Sequence, residues 1–504
     1  MLIRSSGLLL HLTSLPSPFG IGDLGPGAHA FAAFLARAGQ SVWQILPVDP
    51  TAVTSYNDPY HSVGALAGNP LLISPEALVD DGLLDPDDIA SPPDFPTDRV
   101  DYEAVTAYKD GLFKIAHARF AASQAPAEIM ADYRAFRLAN ASWLDDFALY
   151  MALREDRGGP WPSWPEPLRD RDPEALEQAR RDLAQSVDRA VFLQWIFQRQ
   201  WDALHARCRE LGVRIFGDMP VYVDHDSVDC WSAPGCFKLD GDGMPTAVSG
   251  VPPDYFSATG QLWGTPVYDW DAMERRGFDW WLARVERNLA LFDMLRIDHF
   301  RGLVAYWEVP AGEDTAMNGQ WVEAPVERFM TALTRRFPCL PIVAEDLGVI
   351  TPDVRETMAR FKLPGMKILL FAFGSDLPTN PYAPHNMVQD CVVYTGTHDN
   401  NPVLGWWDQE ATADDKARFL AYLGAHLGRE VPRGAVPWEM VRLAMLSTAA
   451  LAVVPVQDLL GLGAEARMNR PGNLAGNWTW RLEPGAVDGL AEKLAELTCL
   501  TNRS

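Results

Sequence analysis

In this 504-residue chain, carboxylates recur at one kind of place, the ends of short apolar runs. GDMPVYV carries Asp218, RIDHF carries Arg296, Asp298 and His299, and AEDL carries Glu345 and Asp346. YTGTHDN leads to His398 and Asp399, and PVQDLL carries Gln457 and Asp458. A lone Asp at a strand end is ordinarily a turn residue or helix cap. Repetition at successive strand exits, with Arg296 and His398 interleaved, points to a shared site. Paired carboxylates are what glycoside cleavage needs: one attacks the anomeric carbon, and the other gives a proton to the leaving oxygen. A retaining enzyme sets the two ~5–5.5 Å apart. Arg296 brings positive charge beside Asp298, whereas Glu345 needs a pKa raised by burial and negative neighbours to serve as the acid. The spacing allows this division of labour without assigning it. Asp, Glu and His also bind divalent cations, so a metal site is the sharper rival. No H-x-E-x-H or E-x-x-H spacing supports a metal, and eighteen Trp, thirteen Tyr and twenty-two Phe offer flat faces for sugar.

The runs that deliver these residues begin at Gly7, Ser41, Val213, Met294, Pro341, Gly365, Cys391 and Leu451. Each is bounded by turn residues and too short for a helix. They are apolar nearly throughout, as in a parallel sheet buried on both faces. Helical spacing falls between them, at Phe31, Phe34, Leu35 and Ala38 before Gly39, and at Phe278, Trp281, Leu282, Val285, Leu289 and Phe292. Eight strands alternating with helices predict the α/β class and a (β/α)8 TIM barrel, which works at the C-terminal ends of its strands. The expected organisation is a single catalytic barrel over residues 1–504. Two connections are too long for a simple barrel. A mainly helical insertion is expected after the second strand at about 50–190, and one after the third strand at about 224–275 carries a Gly/Pro/aromatic loop.

Composition narrows the partners. Sixty-seven acidic against forty-three basic residues give a net charge of −24, which repels polyphosphate and argues against nucleic acid. The run from Glu76 to Glu103 holds ten acidic residues against only Arg99 and reads as a solvated face. Six Cys without a C-x-x-C pair form no disulfide framework and fit a cytoplasmic protein with reduced thiols. Cys230 and Cys236 lack the neighbours that would complete a zinc site. No apolar run approaches the ~20 residues of a membrane span. GLLLHL after Arg4 lacks a cleavage site and reads as a strand, not a signal peptide. No cofactor and no metal are expected.

At the strand-end motifs the chain resembles the amylomaltases (4-α-glucanotransferases, or disproportionating enzymes) of the α-amylase clan of retaining barrel enzymes. GDMPVYV, RIDHFRG, AEDLGVITP and YTGTHDN mark the clan. NDPYHSVGALAGNP, GVPPDYFSATGQLWG, LPGMKIL and PVQDLLGLGAEARMNRPG match the family, and the resemblance runs from Gly7 to Leu482. It implies that Asp298 is the nucleophile, Glu345 the general acid/base, and Asp399 the stabiliser of the oxocarbenium-like transition state, with His398 beside it. It further implies that Arg296 bonds the nucleophile, that Tyr60 stacks on the sugar ring at the cleavage point, and that Asp218 and His299 complete the rim. A loop with Asp254, Tyr255, Phe256, Gln261 and Trp263 would arch over the cleft, and Asn469 would touch the glucan. GSDLPTNPYAPHN departs from the family pattern, so no residue from Gly374 to Asp376 is carried over. The chain also lacks the N-terminal extension of longer members, which puts a preference for branched glycogen in doubt. Trp43, Trp195, Trp231 and Trp307 are expected in the core, and His11, His61, His225 and His385 in structural roles.

The implied activity is transfer of α-1,4-glucan segments to the 4-OH of glucose or maltooligosaccharides. Hydrolysis begins from the same covalent intermediate, so the carboxylates alone do not separate the two outcomes. The loop does, and it matches the transferases. Rivals are an α-glucan hydrolase or branching enzyme of the same clan, a non-catalytic glucan-binding barrel, and a metal-dependent aldolase or hydrolase barrel. The presence of all three catalytic carboxylates argues against the non-catalytic barrel.

Overall fold

The computed structural model describes residues 2–122, 127–253, 257–424, 428–473 and 475–504. Its strands, in chain order, are β1 (Ser5–Leu9), β2 (Val42–Gln44), β3 (Arg214–Met219), β4 (Ala247–Val251), β5 (Gln261–Pro266) and β6 (Met294–Ile297). They continue with β7 (Ala305–Pro310), β8 (Gln320–Glu323), β9 (Ile342–Ala344), β10 (Gly365–Ile368), β11 (Cys391–Tyr394) and β12 (Leu451–Pro455). Eight pair in parallel in the order β10-β11-β12-β1-β2-β3-β6-β9. The end strands meet where the Ala344 N–H donates to the Pro364 carbonyl at 2.9 Å. The sheet thus curls into a nearly closed barrel, and each of the eight apolar runs supplies one strand.

Every residue of β1, β2, β6, β9, β11 and β12 is buried. One strand face meets the barrel interior and the other meets the helices, which is why the runs do not alternate. Close strand approach explains Gly7, where a Cβ would lie 2.3 Å from the Val42 carbonyl oxygen.

The helix Pro26–Arg37 buries Phe31, Phe34 and Leu35. Gly39, at φ +69°, then turns the chain in the left-handed region. The helix Asp279–Leu291 buries Trp281, Arg284, Val285, Asn288 and Leu291. The expected Leu282 and Leu289 are only half-buried. The seam is turned because Arg284 is drawn inward, its guanidinium 5.5 Å from the Trp280 ring and 5.4 Å from the Trp281 ring.

Between β2 and β3 run the long helices Tyr102–Ala122, Ala127–Arg157 and Ala184–Glu210. Their contact is aromatic, with Phe120 5.1 Å from Tyr133 and 5.2 Å from Trp195. Fully buried Lys109 fastens this segment to the loop after β1. Its ammonium lies 3.3 Å from Asp23 and donates to the Leu71 and Ile73 carbonyls at 2.8 and 2.9 Å, so the buried charge is fully engaged.

A second, antiparallel sheet has the order β5-β4-β7-β8. Strands β4 and β5 come from the segment after β3, and β7 and β8 from a further excursion after β6. Trp307 corrects an expectation: it belongs to this outlying sheet, half-buried, and not to the core. Its N–H donates to Ala316 at 2.8 Å and its ring lies 5.3 Å from Trp321, so the hairpin rather than the barrel satisfies it. Trp43, Trp195 and Trp231 are buried in the core. Among the described residues no helix is long and apolar enough to cross a membrane.

Candidate active site

Register alone brings the first acids together. In the β3–β6 pair, Asp218 lies opposite Arg296. Arg296 and Asp298 are two residues apart on an extended chain, so their side chains leave the same face. The ladder continues past the strand ends: Asp298 N–H donates to Met219 at 3.0 Å, and Glu345 N–H donates to Ile297 at 3.1 Å. Three neighbouring strands thus deliver Asp218, Asp298 and Glu345 to one rim.

Arg296 is 2% exposed and holds two carboxylates at once. One terminal nitrogen donates to both oxygens of Asp218 at 2.7 Å, and the other donates to Asp298 at 2.7 Å. Burial raises the Asp218 carboxyl and Arg296 opposes that rise. The two short contacts favour the ionised carboxylate.

Glu345 sits differently. Its Oε2 accepts the backbone N–H of His299 at 2.8 Å and its Oε1 accepts that of Leu347 at 2.7 Å. Among the described residues no cation hydrogen-bonds or ion-pairs with it. Burial first, and the charge of Asp298 second, raise its carboxyl to about 8. One carboxylate against a guanidinium and one held as an acid near neutrality is the pairing that glycoside cleavage requires.

His299 makes this contact by adopting left-handed backbone, φ 45° and ψ 51°. Burial pushes its ring down to about 4, so the imidazole is neutral at ordinary pH. The ring meets Trp263 edge-on with centroids 4.7 Å apart. Trp263 N–H donates to Gln261 Oε1 at 3.3 Å. Gln261 and Trp263 lie on β5, so the second sheet leans on the barrel rim here. Asp254, Tyr255 and Phe256 lie outside the described residues.

On the opposite side, the Tyr60 hydroxyl is 2.7 Å from Asp218 and 2.9 Å from His398 Nε2. The Tyr60 and His398 rings stack at 5.4 Å. Asp399 lies 3.4 Å from His398 Nε2 and accepts from Asn469 at 2.7 Å. Asn469 therefore braces Asp399. Arg467 joins it by donating to the Asp399 carbonyl at 2.7 Å. Arg467 and Trp478, whose ring lies 5.7 Å from Tyr60, were not singled out from sequence. Arg467 stands inside the EARMN motif, and nothing around Trp478 marks it.

Two rim acids stand apart. Asp458 accepts from Thr395 at 2.5 Å and from the Val403 N–H at 2.7 Å, so it ties β11 to the start of the helix Val403–Gln409. Asp346 accepts from the Met366 N–H at 2.6 Å and contacts Lys367 at 3.4 Å, fastening β9 to β10. Gln457 donates to the Ala466 carbonyl at 3.3 Å. Asp346 and Asp458 thus tie neighbouring parts of the barrel, and Gln457 fastens the chain after β12 to the EARMN segment. Among the described residues no group of three or more His, Cys, Asp or Glu could hold a metal ion, and the six Cys are free thiols.

Comparison with known proteins agrees in sequence and fold. Residues 10–487 match the family model described as 4-alpha-glucanotransferase. The 4-alpha-glucanotransferase of Thermus thermophilus is 50% identical over 491 residues, 96% of each chain. That of Synechocystis is 48% identical over 99% of this chain and 98% of its own. The amylomaltase of Streptococcus agalactiae, solved in complex with acarbose, superposes with a TM-score of 0.94 at 34% identity, covering 99% of this chain and 100% of its own.

Proposed function

The chain belongs to the 4-alpha-glucanotransferase family, and we propose that Asp298, Glu345 and Asp399 carry its reaction. It transfers α-1,4-glucan segments to the 4-OH of glucose or a maltooligosaccharide by a retaining double displacement. In the first step Glu345, protonated, gives its proton to the glycosidic oxygen. Asp298 attacks the anomeric carbon, the carbon–oxygen bond breaks, and the reducing-end fragment leaves with a new 4-OH. In the second step Glu345, now ionised, takes the proton of an acceptor 4-OH as that oxygen displaces Asp298. Asp399 faces the positive charge that develops at the ring, braced by His398, Asn469 and Arg467.

The observation that carries this reading is the contrast between the two carboxylates. Asp298 is held by Arg296 at 2.7 Å, whereas Glu345 accepts two backbone N–H groups and is raised to about 8. Tyr60 offers its ring to the sugar beside Asp218. Gln261, Trp263 and His299 are read as the wall that admits a sugar hydroxyl in preference to water, and Asp254, Tyr255 and Phe256 are kept as sugar-binding candidates. We read the chain as one catalytic barrel with insertions at about 50–190 and 224–275, acting on maltooligosaccharides and α-1,4-glucans. Six free thiols fit the reducing cytoplasm. The test is incubation with maltotriose. A ladder of longer products with glucose released is the expected result; glucose and maltose alone would mean hydrolysis. New 1,6 linkages would mean branching.

A further inference from the structure

His11, His398 and Asn401 line a small pocket together with Ser14, Gln457, Asp458 and Arg467. The space open to the centre of a water molecule there is about 20 Å³, which exceeds the ~10–15 Å³ that one water needs. His11, His398 and Asn401 are 7, 5 and 3% exposed. His11 Nδ1, His398 Nδ1 and Asn401 Oδ1 are all buried without a hydrogen-bond partner in the protein. Orphaned buried polar atoms are costly, and the two imidazoles that line this water-sized pocket each carry one, which calls for an occupant.

Proton bookkeeping at Tyr60 decides how His398 must be arranged. The Tyr60 hydroxyl has one proton and two contacts, Asp218 at 2.7 Å and His398 Nε2 at 2.9 Å. An Asp218 carboxylate only accepts, so the hydroxyl proton goes there. Nε2 must then supply the proton for the second contact. A neutral ring so protonated has a bare Nδ1 that accepts. Burial pushes His11 down to about 3, so His11 is a neutral imidazole whose Nδ1–H can donate.

We propose that this pocket holds one structural water that donates to His398 Nδ1 and accepts from His11 Nδ1–H, making His11 a positioning residue for His398. With Nδ1 occupied as an acceptor, the Nε2–H is fixed toward Tyr60, and the wall that receives the sugar ring is held in one protonation pattern. The inference rests on the reading of Tyr60 and His398 as sugar-facing groups.

The first test is a crystal structure at a resolution that shows ordered water, about 1.5 Å. One water within ~3.2 Å of both Nδ1 atoms is expected. No density there, or a water touching neither or only one imidazole, overturns the proposal. The second test is kinetics on maltotriose. His11→Ala is expected to lower kcat by about 10- to 100-fold with KM little changed, because His398 loses its orientation. His11→Gln, which keeps an N–H donor, is expected to recover most of that loss. No loss in His11→Ala, or equal losses in two folded variants, overturns the positioning role. If both variants fail to fold, the wild-type density decides. His398→Ala is measured alongside, and an unaffected rate there would strike the site reading itself instead of the water.

Discussion

The carboxyl group of Glu345 accepts the backbone N–H of His299 at 2.8 Å, which ties Glu345 to the residue directly after Asp298. The left-handed turn at His299, φ 45°, makes this contact possible. The same turn aims the His299 ring at Trp263, so Glu345, Asp298 and the outlying sheet share one joint.

If Glu345 is the proton donor, its loss should depend on the leaving group. Glu345→Gln is expected to lower transfer from maltotriose by about 10²–10⁴-fold. With an α-maltosyl fluoride donor, whose fluoride departs without a proton, formation of the covalent intermediate should survive. Equal loss on both donors would place Glu345 outside acid catalysis.

The raised Glu345 carboxyl sets a pH dependence in both rate and stability. The free enzyme needs this group protonated, so kcat/KM should fall as pH rises through about 8. Stability follows the same sign. The folded protein binds this proton up to about 8, while the unfolded chain releases it near 4.5, the ordinary value for Glu. Between those values the native state holds more protons, so stability falls as pH rises. Relative to Glu345→Gln, the wild type should lose on the order of a few kcal/mol across that window. Parallel denaturant melts at pH 5 and pH 8 check it; a constant difference would contradict it.

Ring and hydroxyl of Tyr60 can be separated. Tyr60→Phe keeps the stacking face but removes the hydroxyl that joins Asp218 to His398. A loss of about 10-fold in kcat/KM is expected, equivalent to roughly one hydrogen bond to a charged group. Tyr60→Ala should cost more, mainly in KM, because the stacking surface also goes. Equal effects in the two variants would deny the ring any contact with sugar.

Asp458 is expected to act on stability alone. Asp458→Ala leaves the Thr395 hydroxyl and the Val403 N–H buried without their acceptor, which should cost roughly 2–4 kcal/mol. The fraction that remains folded should transfer glucan at near-normal rate, as an active-site titration would show.

The barrel was legible in the sequence because its strands are buried on both faces, which leaves continuous apolar runs such as those around Ile215 and Val453. The second sheet was not. Its strand β8 is largely exposed and polar, and β4 and β5 sit among Gly and Pro, so neither alternation nor an apolar run marks them. In the site, strand-end position identified Asp218, Asp298 and Glu345, but the same rule also raised Asp346 and Asp458. Those acids differ only in their partners, Met366 N–H and Lys367 for one, Thr395 and Val403 N–H for the other. Such partners are distant in sequence and become visible only when the barrel closes.

Asp298 is proposed to form the covalent bond to sugar. The direct measurement is trapping with 5-fluoro-α-glucosyl fluoride, in which the ring fluorine slows turnover of the intermediate, followed by mass spectrometry of the digested enzyme. The predicted result is one fluoroglucosyl group on the peptide carrying Asp298. It should be absent in Asp298→Asn, which should also lose turnover by roughly 10³-fold or more while still binding glucan. A label on another carboxylate, or near-normal turnover in Asp298→Asn, would contradict the assignment.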